Sequence, residues 1–447
     1  MAHYAYTAAN TNDYSSTRAP TYVEHVPEDE SFNPSSIPER IPHAQHDQHT
    51  PDESYVQPLG SGEDSRVSLV HNAADVGRGY QNLEYSDPDP YESDRAKPGA
   101  EKASPLVQFL GGPDSTTSLQ SRIDKKKRGI GRQRYPFLVW TLTVVMVAVF
   151  IYELVANDKD QGTPVSFKPV VNYMLGPAST TLINVGARFP PCRSSRRYHR
   201  RPPTTAIGCL NNTSNPATEI CTIEDICGFG GFHGKDPNQW FRFITPIFLH
   251  AGFVHIILNM LAQLTVSAQV EREMGSGGFF ITYFAAGIFG NVLGANFALV
   301  GRPSIGASGA IFGTVAVTWV DLFAHWKYHY RPVRKLVFMS IELVIGVAVG
   351  YIPYVDNFAH LGGFVMALFV GTIFYPVISI SKRHRIIMTT CRVLAIPVAV
   401  ILFVVLIRNF YTSDPYAACE GCRYLSCFPT SSNDYCKGTG LSSTNSV

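Results

Sequence analysis

The sequence has almost no net charge. Lys and Arg total 37 against 35 Asp and Glu, a formal balance of +2 over 447 residues. No electrostatic footprint for a nucleic-acid partner is present. No short apolar core stands near Met1, which argues against a cleaved secretory signal, and the many acidic groups that follow argue against a mitochondrial transit peptide. Acidic residues are scarce inside the long apolar runs and no clear hydropathy repeat is visible, which counts against a transporter built on paired ion sites. Cys419-x-x-Cys422 has no second matching pair, so a zinc centre is not supported, and neither metal nor cofactor is expected.

What is present divides into two regions. Mean hydropathy near zero hides a polar leader, residues 1–125, and a series of apolar runs from 136 to 408. The leader, with stretches such as Asp87-Pro-Asp-Pro-Tyr-Glu-Ser-Asp94, cannot bury enough apolar surface to offset its ordering entropy, so a disordered region is expected there. The runs fall at 136–156, 253–270, 279–299, 305–324, 336–353, 357–377 and 388–407. Each has about the ~20 residues that a membrane-spanning helix needs. The expectation is an all-α polytopic membrane protein with seven spans in contact with the lipid bilayer.

Charge sets the expected orientation. Lys125-Lys-Lys-Arg128 stands just before the first run, and the linkers His325–Lys335 and Ser381–Arg385 are strongly basic. Cytoplasmic flanks are enriched in Lys and Arg, which puts the N-terminus in the cytosol and, after seven spans, the tail 408–447 in a lumen or outside the cell. The loop 157–240 then lies on that same side, where its length weakens the pull of its own Arg193–Arg201 cluster. Eight of the nine cysteines fall in these two segments, as do the overlapping glycosylation sequons at Asn211 and Asn212. Both features suit an oxidising compartment of the secretory route: Golgi, endosome or plasma membrane. Four cysteines per segment leave three pairings each, and cross-pairing adds more. Cys391 is left alone in the seventh span.

Three runs carry polar groups where hydrocarbon is expected. His250, His255 and Asn259 open the second, Ser308 opens the fourth, and His360 opens the sixth. His255 and Asn259 are four apart and share a helix face. A lone Gly-x-Ser-Gly is a weak signal, because a serine in a membrane helix commonly bonds its own i−4 carbonyl. Spans two, four and six all enter from one side, so these groups share one depth, which packing alone does not explain. Small residues Gly306, Gly309, Gly313 and Ala316 form a stripe in the fourth span, matched by Gly363, Ala367 and Gly371 in the sixth, so the two helices are expected to pack closely. Chemically the set fits nucleophilic catalysis. A serine hydroxyl needs a base, histidine serves as one, and Asn, His and backbone N–H groups can hold an oxyanion. No carboxylate is obviously placed to orient His360, so a dyad and not a triad is expected; Asp356, one turn earlier, is the only candidate for a third member. Glu342 in the fifth span is expected to pair near the cytosolic end.

These residues resemble the rhomboid family of intramembrane serine proteases. The features are Arg242, His250-x4-His255-x3-Asn259, Glu271-Arg-Glu-Met-Gly-Ser276, Gly306-x-Ser308-Gly309 and Ala359-His360-x-x-Gly363. The resemblance implies a six-helix bundle made of the span at 136–156 and the core at 241–377, with a seventh helix after it, as in the eukaryotic secretory-pathway type. It implies Ser308 as nucleophile, His360 as general base, and His255 and Asn259 with the Ser308 N–H as oxyanion donors. His250, Gly306, Gly309, Gly363 and Arg242 are supporting residues on the same analogy. Phe312 stands where some relatives have a tyrosine under the histidine, and supplies the ring without the hydroxyl. Phe241-Arg242 replaces a common Trp-Arg pair, and Glu273 falls where some members have arginine. Substrates implied are single-span transmembrane proteins, cut near the lumenal face. Relatives that only bind clients typically lack the serine or the histidine, and this chain has both.

Overall fold

In the computed structural model the described residues are 119–168, 171–193, 207–214, 217–352, 354–379, 381–412 and 419–426. The leader up to residue 118, the rest of the Arg193–Arg201 cluster, and Cys427 and Cys436 lie outside them.

The seven apolar runs each become a helix, because in a hydrocarbon solvent a helix satisfies its backbone polar groups within itself. They are α2 (Phe137–Gln161), α5 (Phe253–Met274), α6 (Ser276–Phe297), α7 (Ser308–Ala324), α8 (Pro332–Val349), α9 (Asn357–Phe374) and α10 (Lys382–Thr412), with α1 (Leu119–Lys127) before them. Five of these, α2, α5, α6, α9 and α10, are long and apolar enough to cross a membrane. Helix α7 is apolar but has 17 residues, about 25 Å of rise. Helix α8 carries Arg334, Lys335 and Glu342 in its 18 residues. The chain is thus an all-α polytopic membrane protein.

Two expectations need correction. Helix α1 covers residues 119–125, which the polar composition placed in the disordered leader. It is held at its basic end, where Lys126 Nζ lies 2.6 Å from Asp321 Oδ1 and 3.2 Å from Glu273 Oε2. Glu342 has no ion-pair partner among the described residues and stands exposed on α8.

Helices α6, α7 and α9 form the centre of the bundle. A Cβ built on Gly363 of α9 would run into the carbonyl oxygen of Gly309 on α7, and one on Gly313 would lie 3.2 Å from the Ala367 Cβ. The matched small-residue stripes therefore bring two backbones into contact, and only glycine fits at the crossing. Helix α2 is fixed from outside the trio: the Glu271 carboxylate accepts from Leu138 N at 3.0 Å and Val139 N at 2.8 Å. An anion there complements the positive helix N-terminus. In α5 a π-helical turn at Gln263–Ser267 accommodates buried Gln263, which donates to Thr143 Oγ1 at 3.1 Å and accepts from the Tyr283 hydroxyl at 2.5 Å. Helix α10 closes the far end of α9, where Arg392 donates to the carbonyls of Thr372 and Tyr375 at 3.2 and 2.7 Å.

The loop between α2 and α5 has a core of its own. It holds α3 (Ser179–Asn184), the two-residue strands β1 (Ile207–Gly208) and β2 (Ile220–Cys221), and α4 (Ile223–Cys227). The strands pair antiparallel. Disulfides join Cys192 to Cys227 and Cys209 to Cys221, and a third joins Cys419 to Cys422 beyond α10. Among the described residues pairing is therefore within each segment. Buried Arg242 crosses the loop core, donating to Gln239 Oε1 at 2.7 Å, to the carbonyls of Ile183 and Ala187 at 2.6 and 2.8 Å, and to the Cys227 carbonyl. Helix α4 begins with a capping box between Thr222 and Asp225, whose hydrogen bonds hold the Asp225 carboxyl below its ordinary range.

Candidate active site

Ser308 is the first residue of α7, and His360 lies in the first turn of α9. The close approach of those helices places His360 Nε2 at 2.9 Å from Ser308 Oγ. The hydroxyl is not spent on its own helix: it has no preceding helical turn, and the carbonyl four residues back, on Ser304, accepts from Arg188 N at 3.0 Å. Ser308 is half-buried and His360 buried. The Phe312 ring stacks on the imidazole, with centroids 4.1 Å apart and planes 9° from parallel. One turn along α7 from the serine is the position that reaches under the histidine.

Asp356 does not orient the imidazole. Its carboxylate accepts from Phe358 N at 2.9 Å, capping α9, and pairs with Arg188. His360 Nδ1 has no side-chain hydrogen-bond partner among the described residues. The arrangement is a serine and a histidine, with no carboxylate on the ring.

His255 and Asn259 stand on the buried face of α5. Ala251 N donates to His255 Nδ1 at 3.3 Å, which assigns the proton of a neutral ring to Nε2. That Nε2 and the Asn259 Nδ2 are buried without acceptors among the described residues. Both face the approach to the serine, since a Cβ built on Gly306 would lie 2.9 Å from His255 Nε2 and 3.5 Å from Asn259 Nδ2. Gly306 also has φ +124°, a conformation that side chains rarely adopt. As first residue of a helix, Ser308 has a backbone N–H with no acceptor inside that helix. Buried donors without acceptors are costly, so a cluster of them beside a serine hydroxyl is suited to an oxygen that gains negative charge.

His250 is displaced from this set. Its ring packs edge-on against His255 at 5.5 Å, and its backbone N–H donates to the buried Glu153 carboxylate at 3.1 Å. Arg242 serves the loop rather than the dyad. Of the two sequon asparagines, Asn211 is exposed, while Asn212 is buried and its side chain donates to the Ser214 carbonyl at 2.7 Å. Asn211 Nδ2 donates to the Glu219 carboxylate at 2.7 Å. Sequence reasoning missed Arg188 and Glu153. The available signals were an acid within the first apolar run and an arginine outside the obvious cluster, and neither identifies its distant partner.

Comparison with known proteins agrees with this geometry. Residues 237–377 match the Rhomboid domain family model. The chain is 31% identical over 374 residues to "Rhomboid-type serine protease 2" of Emericella nidulans, covering 79% of this chain and 73% of that protein. It is also 31% identical to "Inactive rhomboid protein 1" of Rattus norvegicus over 230 residues and of Homo sapiens over 228. Those matches cover 50% of this chain and only 26% of each relative. The helical core with its serine–histidine contact, the matched domain and the extended fungal likeness all lead to one assignment: the chain belongs to the rhomboid family.

Proposed function

We propose that this rhomboid is an intramembrane serine endopeptidase, a hydrolase acting on single-span transmembrane proteins near the lumenal or extracellular membrane face. The carrying observation is the 2.9 Å contact between Ser308 Oγ and His360 Nε2. In the first step His360 takes the hydroxyl proton as Oγ bonds to the scissile carbonyl carbon. The carbonyl oxygen becomes an oxyanion within reach of His255 Nε2–H, Asn259 Nδ2–H and the Ser308 N–H. His360 returns the proton to the leaving amine, the C–N bond breaks, and an acyl-serine remains. Water then attacks that ester while His360 takes its proton; the ester C–O bond breaks, Ser308 Oγ receives that proton from His360, and the carboxyl product leaves the regenerated dyad. No group in this sequence requires a metal.

What lies at the two ends supports one orientation. The three disulfides flank the serine end, where the tail is anchored by Asn357 Nδ2 donating to the Leu425 carbonyl at 2.9 Å. The Lys126 cluster lies at the other. Disulfides suit an oxidising lumen and basic flanks the cytosol, giving a cytosolic N-terminus and a lumenal C-terminus in the secretory pathway.

The likeness to inactive rhomboid proteins makes client binding without cleavage the rival reading. The deciding experiment co-expresses single-span reporters with wild type, Ser308→Ala and His360→Ala at matched membrane levels. Release of a lumenal fragment by wild type alone is the expected result. Equal release by all three removes the assigned roles, and no release across a varied reporter panel selects the client-binding reading.

A further inference from the structure

Arg188, in the loop before α5, touches neither Ser308 nor His360, yet it holds the segment that leads into each. Its backbone forms an isolated antiparallel bridge with Ser304: Arg188 N donates to Ser304 O and Ser304 N to Arg188 O, both at 3.0 Å. Ser304 is four residues before the serine. Two residues further on, Gly306 N donates to the Pro246 carbonyl at 2.8 Å, so the strand entering α7 is pinned along its length. The Arg188 guanidinium pairs through Nη1 with Asp356 Oδ2, while Asp356 Oδ1 caps the helix that carries His360. One residue therefore grips the approach to the nucleophile with its backbone and the first turn under the base with its side chain.

The surroundings suit a fixed clasp. Arg188 is 1% exposed, and Asp356 and Ser304 are also buried. A Cβ on Gly294 of α6 would collide with both Arg188 Nη1 and Asp356 Oδ2, so that glycine leaves the room in which the pair sits. The loop segment is itself restrained: Arg242 donates to the Ala187 carbonyl at 2.8 Å, Thr245 Oγ1 to the Gly186 carbonyl at 2.6 Å, and Cys192 is bonded to Cys227. A pair of buried charges that is broken on one side leaves the other uncompensated, so α9 would move to find solvent or a new partner.

We propose that Arg188, through Asp356, is a positioning residue that sets the distance between Ser308 and His360 from the loop. This rests on the serine-hydrolase reading above. A displacement of about 1 Å at the reacting atoms costs on the order of 10²-fold in rate, so the clasp acts on turnover rather than on substrate affinity.

The test uses the full chain purified in detergent, with Arg188→Ala, Arg188→Lys, Asp356→Asn, Gly294→Ala and the double Arg188→Ala/Asp356→Ala. Two rates are measured on protein that is monodisperse, and each is scaled to the folded fraction from thermal melts. The first is labelling of Ser308 by an alkyl fluorophosphonate, in which Oγ bonds to phosphorus, fluoride leaves and His360 takes the proton. The second is kcat and KM on a cleavable single-span reporter. Labelling and kcat should fall roughly 10- to 100-fold in Arg188→Ala, Asp356→Asn and Gly294→Ala with KM held within about threefold, and the double variant should be no slower than the worse single. Arg188→Lys, which keeps the charge, should recover most of the loss. The clasp is overturned if folded variants label at the wild-type rate, if KM rises while kcat holds, or if activity falls only in step with the folded fraction. If wild type does not label at all, the hydrolase reading fails first and the positioning role goes with it. Should Arg188→Ala not fold, Gly294→Ala and Arg188→Lys decide the matter by the same criteria.

Discussion

Helix α7 ends in a histidine site at each pole, and the two are built on opposite plans. At the serine end His360 uses one ring nitrogen on Ser308, and no side chain among the described residues hydrogen-bonds the other. At the far end His325 is held at both: Nδ1 lies 2.8 Å from Asp321 Oδ1, and Nε2 accepts from Ile378 N at 2.9 Å. Around it Lys126 bonds to Asp321, Glu273 and the Tyr375 hydroxyl, and that hydroxyl reaches Glu273 at 2.5 Å. At the far cluster the Asp321 and Glu273 carboxylates and the Tyr375 hydroxyl are all engaged, whereas at the serine end His255 Nε2 and Asn259 Nδ2 have no acceptor among the described residues. A densely bonded buried network makes a rigid join, here between α1, α5, α7 and the end of α9. An under-partnered one holds groups in readiness for something not yet bound. Buried histidine in a membrane bundle is thus not informative by itself; the state of its second nitrogen and of its neighbours separates the two roles.

That contrast breaks most sharply by substitution at each pole. His360→Ala should lower reporter cleavage by roughly 10⁴- to 10⁶-fold, while His325→Ala should leave kcat per folded molecule within about threefold. Initial rates on purified protein, scaled to the folded fraction, measure both, and a comparable fall in the two would erase the distinction. Next in size is Asn259→Ala, which removes one unused donor and should reduce kcat by about 10²–10³-fold with little change in KM. A KM effect alone would make Asn259 a substrate contact instead.

At the far pole the expected cost is in stability. His325→Ala leaves the Ile378 N–H buried without an acceptor and should destabilise by about 1–3 kcal/mol, read as a lower melting midpoint in detergent. Glycosylation tests which pole faces the lumen: Asn211→Gln should abolish a glycosidase-sensitive gel shift and Asn212→Gln should retain it, since only Asn211 is exposed. A shift that survives in Asn211→Gln would contradict this. The smallest effect concerns the loop cap. Because the folded Asp225 carboxyl titrates below its ordinary range, its contribution is present above the unfolded value and is lost as pH falls through the folded one. Amide exchange at Asp225, corrected for intrinsic rates, should therefore speed up at acid pH, and protection that is flat with pH would remove the cap from consideration.

Sequence reasoning went furthest where a residue type conflicted with its surroundings. Ser308, His255, Asn259 and His360 were legible because polar groups in apolar runs are costly and have to be accounted for. The α7–α9 crossing was legible from two small-residue stripes, and the place of Phe312 from its spacing of four. Asp321 offered the same kind of signal, a carboxylate in an apolar run, but its meaning depends on Lys126, nearly 200 positions earlier. The ordering of α1 was illegible for the same reason: a polar, basic segment has no local cause to fold and does so against acidic groups of α5 and α7. Asp356 was visible as a carboxylate one turn from His360, but only the structure shows that one oxygen caps α9 at Phe358 N and the other pairs with Arg188, so that neither orients the ring.

The sequence by itself determined the helical class, the positions of the membrane helices and the residues of the serine–histidine set. These follow from local quantities: run length, helical spacing, and the cost of polar groups in hydrocarbon. Only the tertiary structure decided the disulfide pairing among the described cysteines, the lack of a carboxylate on His360 against the doubly held His325, and the bridge that Arg188 makes between Ser304 and Asp356. Each of these is a contact between segments far apart in the chain, and its energy depends on distance and burial that no local pattern encodes.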